Sequence, residues 1–267
     1  MVARRTQGRG RRPAAVLAAL VALGVGRPAL AGGTRCWIDK GALVAPASFG
    51  DIAGDFLIDL SAPASALHVT RAELDGLEGG SATRDLVIAG RRIPALKMVI
   101  ADLDSRTAAH DTVINGVLGA DVLGRFTVEI DPWPCRLRLL PIGRRGPWAG
   151  GIRLPVAHGV GGRALAPAMI SDGLNVRGGV FALGTADWPT TIVRARLSRE
   201  PSPRAPARVR LRALEVGGRL FEQSPAALAQ PRGDQAEGAI GMSVWSRWRL
   251  RLDVADGWLD LATARAR

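Results

Sequence analysis

One strand pattern occurs twice in this chain, and only one copy keeps an acid at its centre. In the first half Phe56-Leu57-Ile58-Asp59-Leu60-Ser61-Ala62 runs on through Ser65 to Leu67. At an offset of 125, Phe181-Ala182-Leu183-Gly184-Thr185-Ala186-Asp187 runs on through Thr190 to Ile192. A second pair of segments recurs at a constant offset of 122: Val117-Leu118-Gly119-Ala120-Asp121-Val122-Leu123, Arg125-Phe126 and Ile130-Asp131 return as Ala239-Ile240-Gly241-Met242-Ser243-Val244-Trp245, Arg247-Trp248 and Leu252-Asp253. Leu137 and Leu139 map onto Leu259 and Leu261 by the same offset. A repeat this long is a duplicated lobe, not a solenoid unit. The chain is therefore expected to fold as two similar halves, with Asp59 and Gly184 at matching places.

Between these landmarks the signals are mostly strands. Phe56–Leu60, Leu86–Ala89, Ala95–Ile100, Thr127–Ile130 and Leu137–Leu140 are short runs rich in Val, Ile and Leu, punctuated by Gly, Asp and Pro. Ala89-Gly90-Arg91-Arg92-Ile93 reads as a hairpin turn, and Thr70–Leu77 and Gly119–Gly124 as short helices. Phe181–Leu183, Arg208–Val216, Trp248–Leu252 and Trp258–Leu261 repeat the strand pattern. Many short strands with regular turn signals indicate a mainly β fold, closed or sandwich-like. The seven Trp, with no Tyr, fall mostly at strand positions and read as core or lobe-interface packing.

The residues around Asp59 also carry a resemblance. A hydrophobic strand ending in Asp59, then Ala62 and Ser65, is similar to the Asp-centred motif of the retropepsin/pepsin aspartic-protease family. Val117 to Leu123 resembles that family's apolar-apolar-Gly signature, and Arg125 to Asp131 resembles the strand that follows it. The resemblance covers most of residues 40–140 and, more faintly, 165–263. It implies two tandem retropepsin-like closed β lobes with short helices. The expected organisation is a signal peptide over 1–31, an N-terminal lobe over 32–140, a linker over 141–162 and a C-terminal lobe over 163–267.

What the resemblance implies for chemistry is conflicting. The family's mechanism needs two carboxylates that share one proton, so that one activates water while the other donates. Here the first lobe supplies Asp59 as candidate catalytic acid, and the second supplies Gly184. The family's Thr or Ser after the Asp is Leu60 in the first lobe, whereas Thr185 survives in the second; the family's turn glycine is Ser61 and Ala186. Asp187 could replace the missing acid by folding back, or could be a turn-forming residue. Asp59 itself reads either as a functional group or as a residual buried carboxylate held by backbone N–H groups. Ser61, Ala62, Gly184 and Thr185 would form the floor of a substrate-binding cleft. Asp121 and Asp131, with Ser243 and Asp253 as counterparts, read as structural helix or turn caps.

Three functions follow. The first is an exported protein of this family with lost or weakened peptidase activity, binding a peptide or protein in the inter-lobe cleft. The second is an active aspartic endopeptidase using Asp59 with a non-standard partner, and the third an envelope scaffold without a cleft ligand. No cofactor is expected. His68, His110 and His158 are scattered without HExxH or CxxC company, so no metal site is expected, and no nucleophile elbow, P-loop or dinucleotide fingerprint is present. A monomer is expected, because the covalent second lobe occupies the surface a second copy would use.

The N-terminus bears on compartment and charge. Arg4, Arg5, Arg9, Arg11 and Arg12 precede an apolar run from Ala14 to Gly26 and an A-x-A site at Ala29-Leu30-Ala31. This is the pattern of a cleaved signal peptide; a basic membrane anchor is the other reading, although the run is short for a span. No stable membrane anchor is expected, and localisation is expected to be periplasmic or secreted. Without residues 1–31, which hold six Arg and no acid, Lys+Arg falls from 36 to 30 against 24 Asp+Glu. The resulting net charge of about +6 excludes nothing acidic as a ligand but does not mark a nucleic-acid binder. In an oxidising compartment the pair Cys36 and Cys135 points to a disulfide, with two isolated buried thiols as the alternative. Arg194–Arg212, rich in Arg and Pro, aligns with Glu73–Leu86, where the family carries a flap hairpin; it reads as a basic flap selecting acidic ligands or as a solvated insertion.

Overall fold

The computed structural model describes residues 33–143, 145–193, 197, 208–229 and 235–264. The proposed signal peptide lies outside the described residues, as does most of 194–207. In chain order the first half contains β1 (Gly33–Arg35), β2 (Trp37–Asp39), β3 (Ala42–Phe49), β4 (Ile52–Ile58), β5 (Ala66–His68), α1 (Val69–Leu74), β6 (Ser81–Ile88), β7 (Arg91–Ala101), α2 (Asp104–Thr107), β8 (Ile114–Leu118), α3 (Ala120–Leu123), β9 (Thr127–Pro132) and β10 (Cys135–Leu140). The second half contains β11 (Ile152–Pro155), β12 (Ala157–His158), a 3-10 turn (Val160–Gly162), β13 (Ala164–Ser171), β14 (Val176–Leu183), β15 (Thr190–Val193), β16 (Arg208–Val216), β17 (Arg219–Ala229), β18 (Gly238–Ile240), α4 (Met242–Trp245), β19 (Trp248–Asp253) and β20 (Trp258–Thr263).

Each half closes on itself. In the first, β3-β4-β8-β5-β7-β6 forms a ring shut by pairing of β3 with β6, and β2 is appended to β3. In the second, β13-β14-β18-β15-β17-β16 repeats that order, shut by β13 with β16, and β12 is appended. The expected mainly β fold with two tandem closed lobes is thus present. Closure removes free strand edges, and the interior is filled by alternate side chains. In β6 Leu86 and Ile88 are buried while Val87 between them is exposed, the period-2 pattern of a strand with one wet face. Pairing of β6 with β7 shifts between Arg84 and Leu86, opposite Ala95 at φ 49°; this is a bulge, which bends and twists the strand toward closure. In the second barrel Gln223 has the same φ of 49°, but the register of β16 and β17 is the same on either side of it.

A third sheet, β1-β10-β9-β19-β20-β11, joins the halves, with β9 and β19 antiparallel across the junction. Its apolar face buries Val128, Ile130, Leu137, Leu139, Leu250, Leu252, Leu259 and Leu261. The intervening arginines are matched on its other face: Arg249 to Asp131 at 2.9 Å, Arg251 to Glu129 at 2.7 Å, and Arg153 in a two-pronged contact with Asp260 at 2.7 and 2.9 Å. Arg249 and Arg251 also stack on Trp148, so much of the basic composition is consumed in ion pairs and cation–π contacts. At the junction itself Thr127 Oγ1 donates to Asp253 Oδ2 at 2.5 Å, both residues fully buried. Cys36 and Cys135 are bridged, with Cα atoms 5.0 Å apart.

Some expectations need amendment. Residues 141–162, read as a linker, contain β11 and β12. Both exist because the edges of β20 and β13 offer hydrogen-bond partners, a tertiary cause that leaves no local periodicity. The first-lobe stretch aligned with a flap, Glu73–Leu86, forms the end of α1, a loop and most of β6, which pairs with β7 in an antiparallel hairpin turning at Ala89-Gly90. In the second lobe the described part of 194–212 beyond Leu197 is strand β16.

Candidate functional site

The two repeated motifs meet as near-symmetric turns. The Asp59 N–H donates to the Leu118 carbonyl at 3.0 Å, and the Gly184 N–H to the Ile240 carbonyl at 2.8 Å. The hydroxyls of Ser65 and Thr190 accept from the N–H groups of Gly119 and Gly241, at 3.0 and 3.2 Å. Ala120 N–H donates to Ala62 carbonyl, and Met242 N–H to Asp187 carbonyl, each at 2.8 Å. Glycine is required at 119 and 241 because a Cβ would stand 2.8 Å from the Ala62 oxygen and 2.5 Å from the Pro189 oxygen. Asp121 does not cap α3; its carboxylate accepts the Ser65 hydroxyl at 2.7 Å.

Thr185 couples the turns. Its Oγ1 accepts from Leu60 N–H at 3.0 Å and donates to the Ile58 carbonyl at 2.6 Å, while its own carbonyl accepts from Leu43 N–H at 2.8 Å. The lobes also dock reciprocally. A Cβ on Gly41 would fall 2.2 Å from Trp188 Cβ, and one on Gly161 2.4 Å from Pro63 Cβ, so each lobe presents a glycine to the other's turn. The buried Arg163 adds a guanidinium 3.5 Å from the Ser61 carbonyl. Thr185→Val keeps the shape but strands the buried Leu60 N–H and Ile58 carbonyl. An unsatisfied buried group costs about 1–3 kcal/mol, so urea denaturation should show a loss of about 2 kcal/mol; a change under about 0.5 kcal/mol would mean that the lobes do not depend on this link.

Asp59 is 2% exposed. Its Oδ1 accepts from the Ser61 N–H at 2.8 Å and the Ser61 hydroxyl at 2.6 Å; its Oδ2 accepts from Arg106 Nη2 at 2.5 Å. Ser61, Ala62, Gly184 and Thr185 are all buried around this point, whereas Asp187 is exposed. The group across from Asp59's outer oxygen is thus a cation, and a hydroxyl-bearing turn holds the inner one.

Arg106 is brought there by α2 and the loop that follows β7, which is pinned at two points. His68 Nε2 lies 3.1 Å from Asp104 Oδ1. Asp39, 7% exposed, accepts from Thr112 N–H at 2.8 Å and from Asp111 N–H at 3.3 Å, and His110 Nδ1–H donates to its carbonyl at 3.1 Å. Burial pushes the Asp39 carboxyl up, but the hydrogen bonds from Thr112 and Asp111 and the nearby His110 outweigh burial and hold it below the ordinary carboxylate range. A depressed carboxyl stabilises the fold above its unfolded value of about 3.9 and loses that contribution as pH falls through the lower folded value. Asp39→Asn should therefore be less stable than the wild type at neutral pH, with the gap closing in acid; a constant difference from neutral to strongly acidic pH would show that Asp39 does not anchor the loop electrostatically.

Beside this turn lies a cavity of about 760 Å³, lined by Arg106, Lys40, Asp187, Trp188, Arg208 and Arg210 among others. Trp188, expected as packing, is 46% exposed on its wall, unlike the buried Trp245. Sequence reasoning missed Arg106 altogether: it lies in the short helix α2, which has no counterpart in the duplicated motifs, so no repeat or spacing marked it. Among the described residues no group of three or more His, Cys, Asp or Glu could hold a metal ion, and no helix is long and apolar enough to cross a membrane.

No family model matches the sequence, and no curated protein matches it. Among solved structures the chain is similar to the crystal structure of aspartic proteinase from Irpex lacteus, with a TM-score of 0.49 at 12% sequence identity, over 87% of this chain and 97% of that one.

Proposed function

We propose that the chain is an exported protein of aspartic-protease type that binds a peptide or protein in its inter-lobe cleft without hydrolysing it. The observation that carries this reading is the Arg106–Asp59 ion pair, with Gly184 at the matching place in the second lobe. A proteolytic dyad works because two like charges repel and so share one proton. Here the charge beside Asp59 is a guanidinium, which attracts the carboxylate where a dyad needs repulsion. Lone pairs that would activate water are directed at Ser61 and Arg106 instead. Gly184, at the matching place in the second lobe, supplies no acid to protonate a leaving amine, and a positioned acid or base contributes about 10²–10⁴-fold. Export is supported by the bridged cysteines together with the signal-like N-terminus.

The test is peptide hydrolysis at acidic pH alongside equilibrium binding of the same peptides. The expected result is saturable binding with no turnover, and Asp59→Asn that still binds. Gly184→Asp should not create a peptidase, since a Cβ at 184 would lie 3.1 Å from the Ile240 oxygen and Arg106 would remain on Asp59. Turnover at ordinary rates, of order 1–10³ per second, abolished by Asp59→Asn, would replace this reading with an active endopeptidase.

A further inference from the structure

We propose that the cleft selects acidic peptides, a carboxylate of the ligand docking among Arg106, Arg208 and Arg210; this rests on the binding reading above and adds the ligand's chemical class. Four cationic side chains line the cavity, Lys40, Arg106, Arg208 and Arg210, against Asp187 as the one acid among the described lining residues. Their pairing differs. The Lys40 ammonium is 2.8 Å from Asp111, and both side chains are more than half exposed, so a ligand can compete with that contact cheaply. Arg106 directs only Nη2 at Asp59. A guanidinium has five N–H donors, and a third of this side chain is exposed. Arg210 Nη1 donates to the Gln223 carbonyl at 3.2 Å, which leaves its charge uncompensated. Among the described residues neither Arg208 nor Arg210 has an acid within ion-pair distance, in contrast to Arg153, Arg249 and Arg251 on the central sheet.

Their placement follows from the fold. Arg208 and Arg210 are two apart on β16, so both side chains leave the same face of the strand. At Arg208–Arg210 that strand pairs with β17, while β13 reaches only Ala213–Glu215, so both arginines project from a strand held on one side. The same lining includes Trp188, Pro189, Val209 and Pro225. A wall of mixed guanidinium and apolar surface suits a chain that carries both carboxylates and hydrocarbon. A nucleic acid would call for a continuous basic stripe along its phosphates, which a cavity of about 760 Å³ with an acid in its wall does not provide.

The full mature chain should be titrated calorimetrically with acetyl-Ala-Glu-Asp-Glu-Ala-amide, with its Gln/Asn isostere and with a short oligothymidylate. The acidic peptide is expected to bind at least roughly tenfold more tightly than the isostere, as charge-assisted hydrogen bonds allow, and to weaken as salt rises. Arg208→Gln with Arg210→Gln should remove that preference, the acidic peptide losing at least roughly tenfold more affinity than the isostere. Both positions are exposed, and thermal melts of the variant would verify folding; the single exchanges should each remove part of the preference. Equal binding of peptide and isostere would overturn acid selection while leaving peptide binding intact. Binding of neither peptide would overturn the binding reading as well. Preferential binding of the oligothymidylate would replace the peptide with a nucleic acid.

Discussion

Replacing Arg106 with alanine is expected to lower the unfolding free energy by about 3 kcal/mol at neutral pH, and adding Asp59→Asn should recover most of the loss. Removing one partner of a buried ion pair costs about 3–5 kcal/mol, because the other charge is left buried without compensation. Asp59 meets that description at 2% exposure. Arg106, one-third exposed at the cavity wall, would be partly replaced by water, which places the effect at the lower end. Asparagine at 59 keeps the Ser61 contacts available and carries no charge to strand. In a chain of this size 3 kcal/mol corresponds to a fall in Tm of about 6–12 °C. A double-mutant cycle by urea denaturation measures the coupling directly. Additive effects of the two exchanges would mean that Arg106 does not neutralise Asp59, and the argument against peptidase chemistry would lose its basis.

Cys36→Ala with Cys135→Ala is expected to lower stability by about 4 kcal/mol. The bridge spans a sequence separation of 99, and in the chain-entropy model a loop of that length constrains the unfolded chain by about 4.7 kcal/mol. That value is a ceiling, since residual structure in the unfolded chain already narrows its ensemble. The bridge also anchors β1, which pairs with β10 through only Gly33, Thr34 and Arg35. A strand with three register pairs has little to hold it once the link is gone. Thermal melts of the oxidised wild type and the double variant should differ by about 8–16 °C. A shift under about 3 °C would show that the unfolded state is already compact between these positions.

Sequence alone determined the duplication, most strands and the pairing of Asp59 with Gly184, because these rest on local patterns: side-chain alternation along a strand and the spacing of apolar and glycine positions around a turn. It also brought Cys36 and Cys135 together, since an even pair at the two ends of one lobe leaves one intramolecular choice. Tertiary structure alone decided three things. Ring closure of β3 on β6 and of β13 on β16 joins strands far apart in the chain, and the bulge opposite Ala95 has a backbone conformation that no side chain announces. Strands β11 and β12 form because another part of the chain supplies their partners. Above all, Arg106 reaches Asp59 from 47 residues away, along a loop held by Asp39 and His68. An ion pair depends on where two side chains end in space, and spacing along the chain carries no record of that once a loop lies between them.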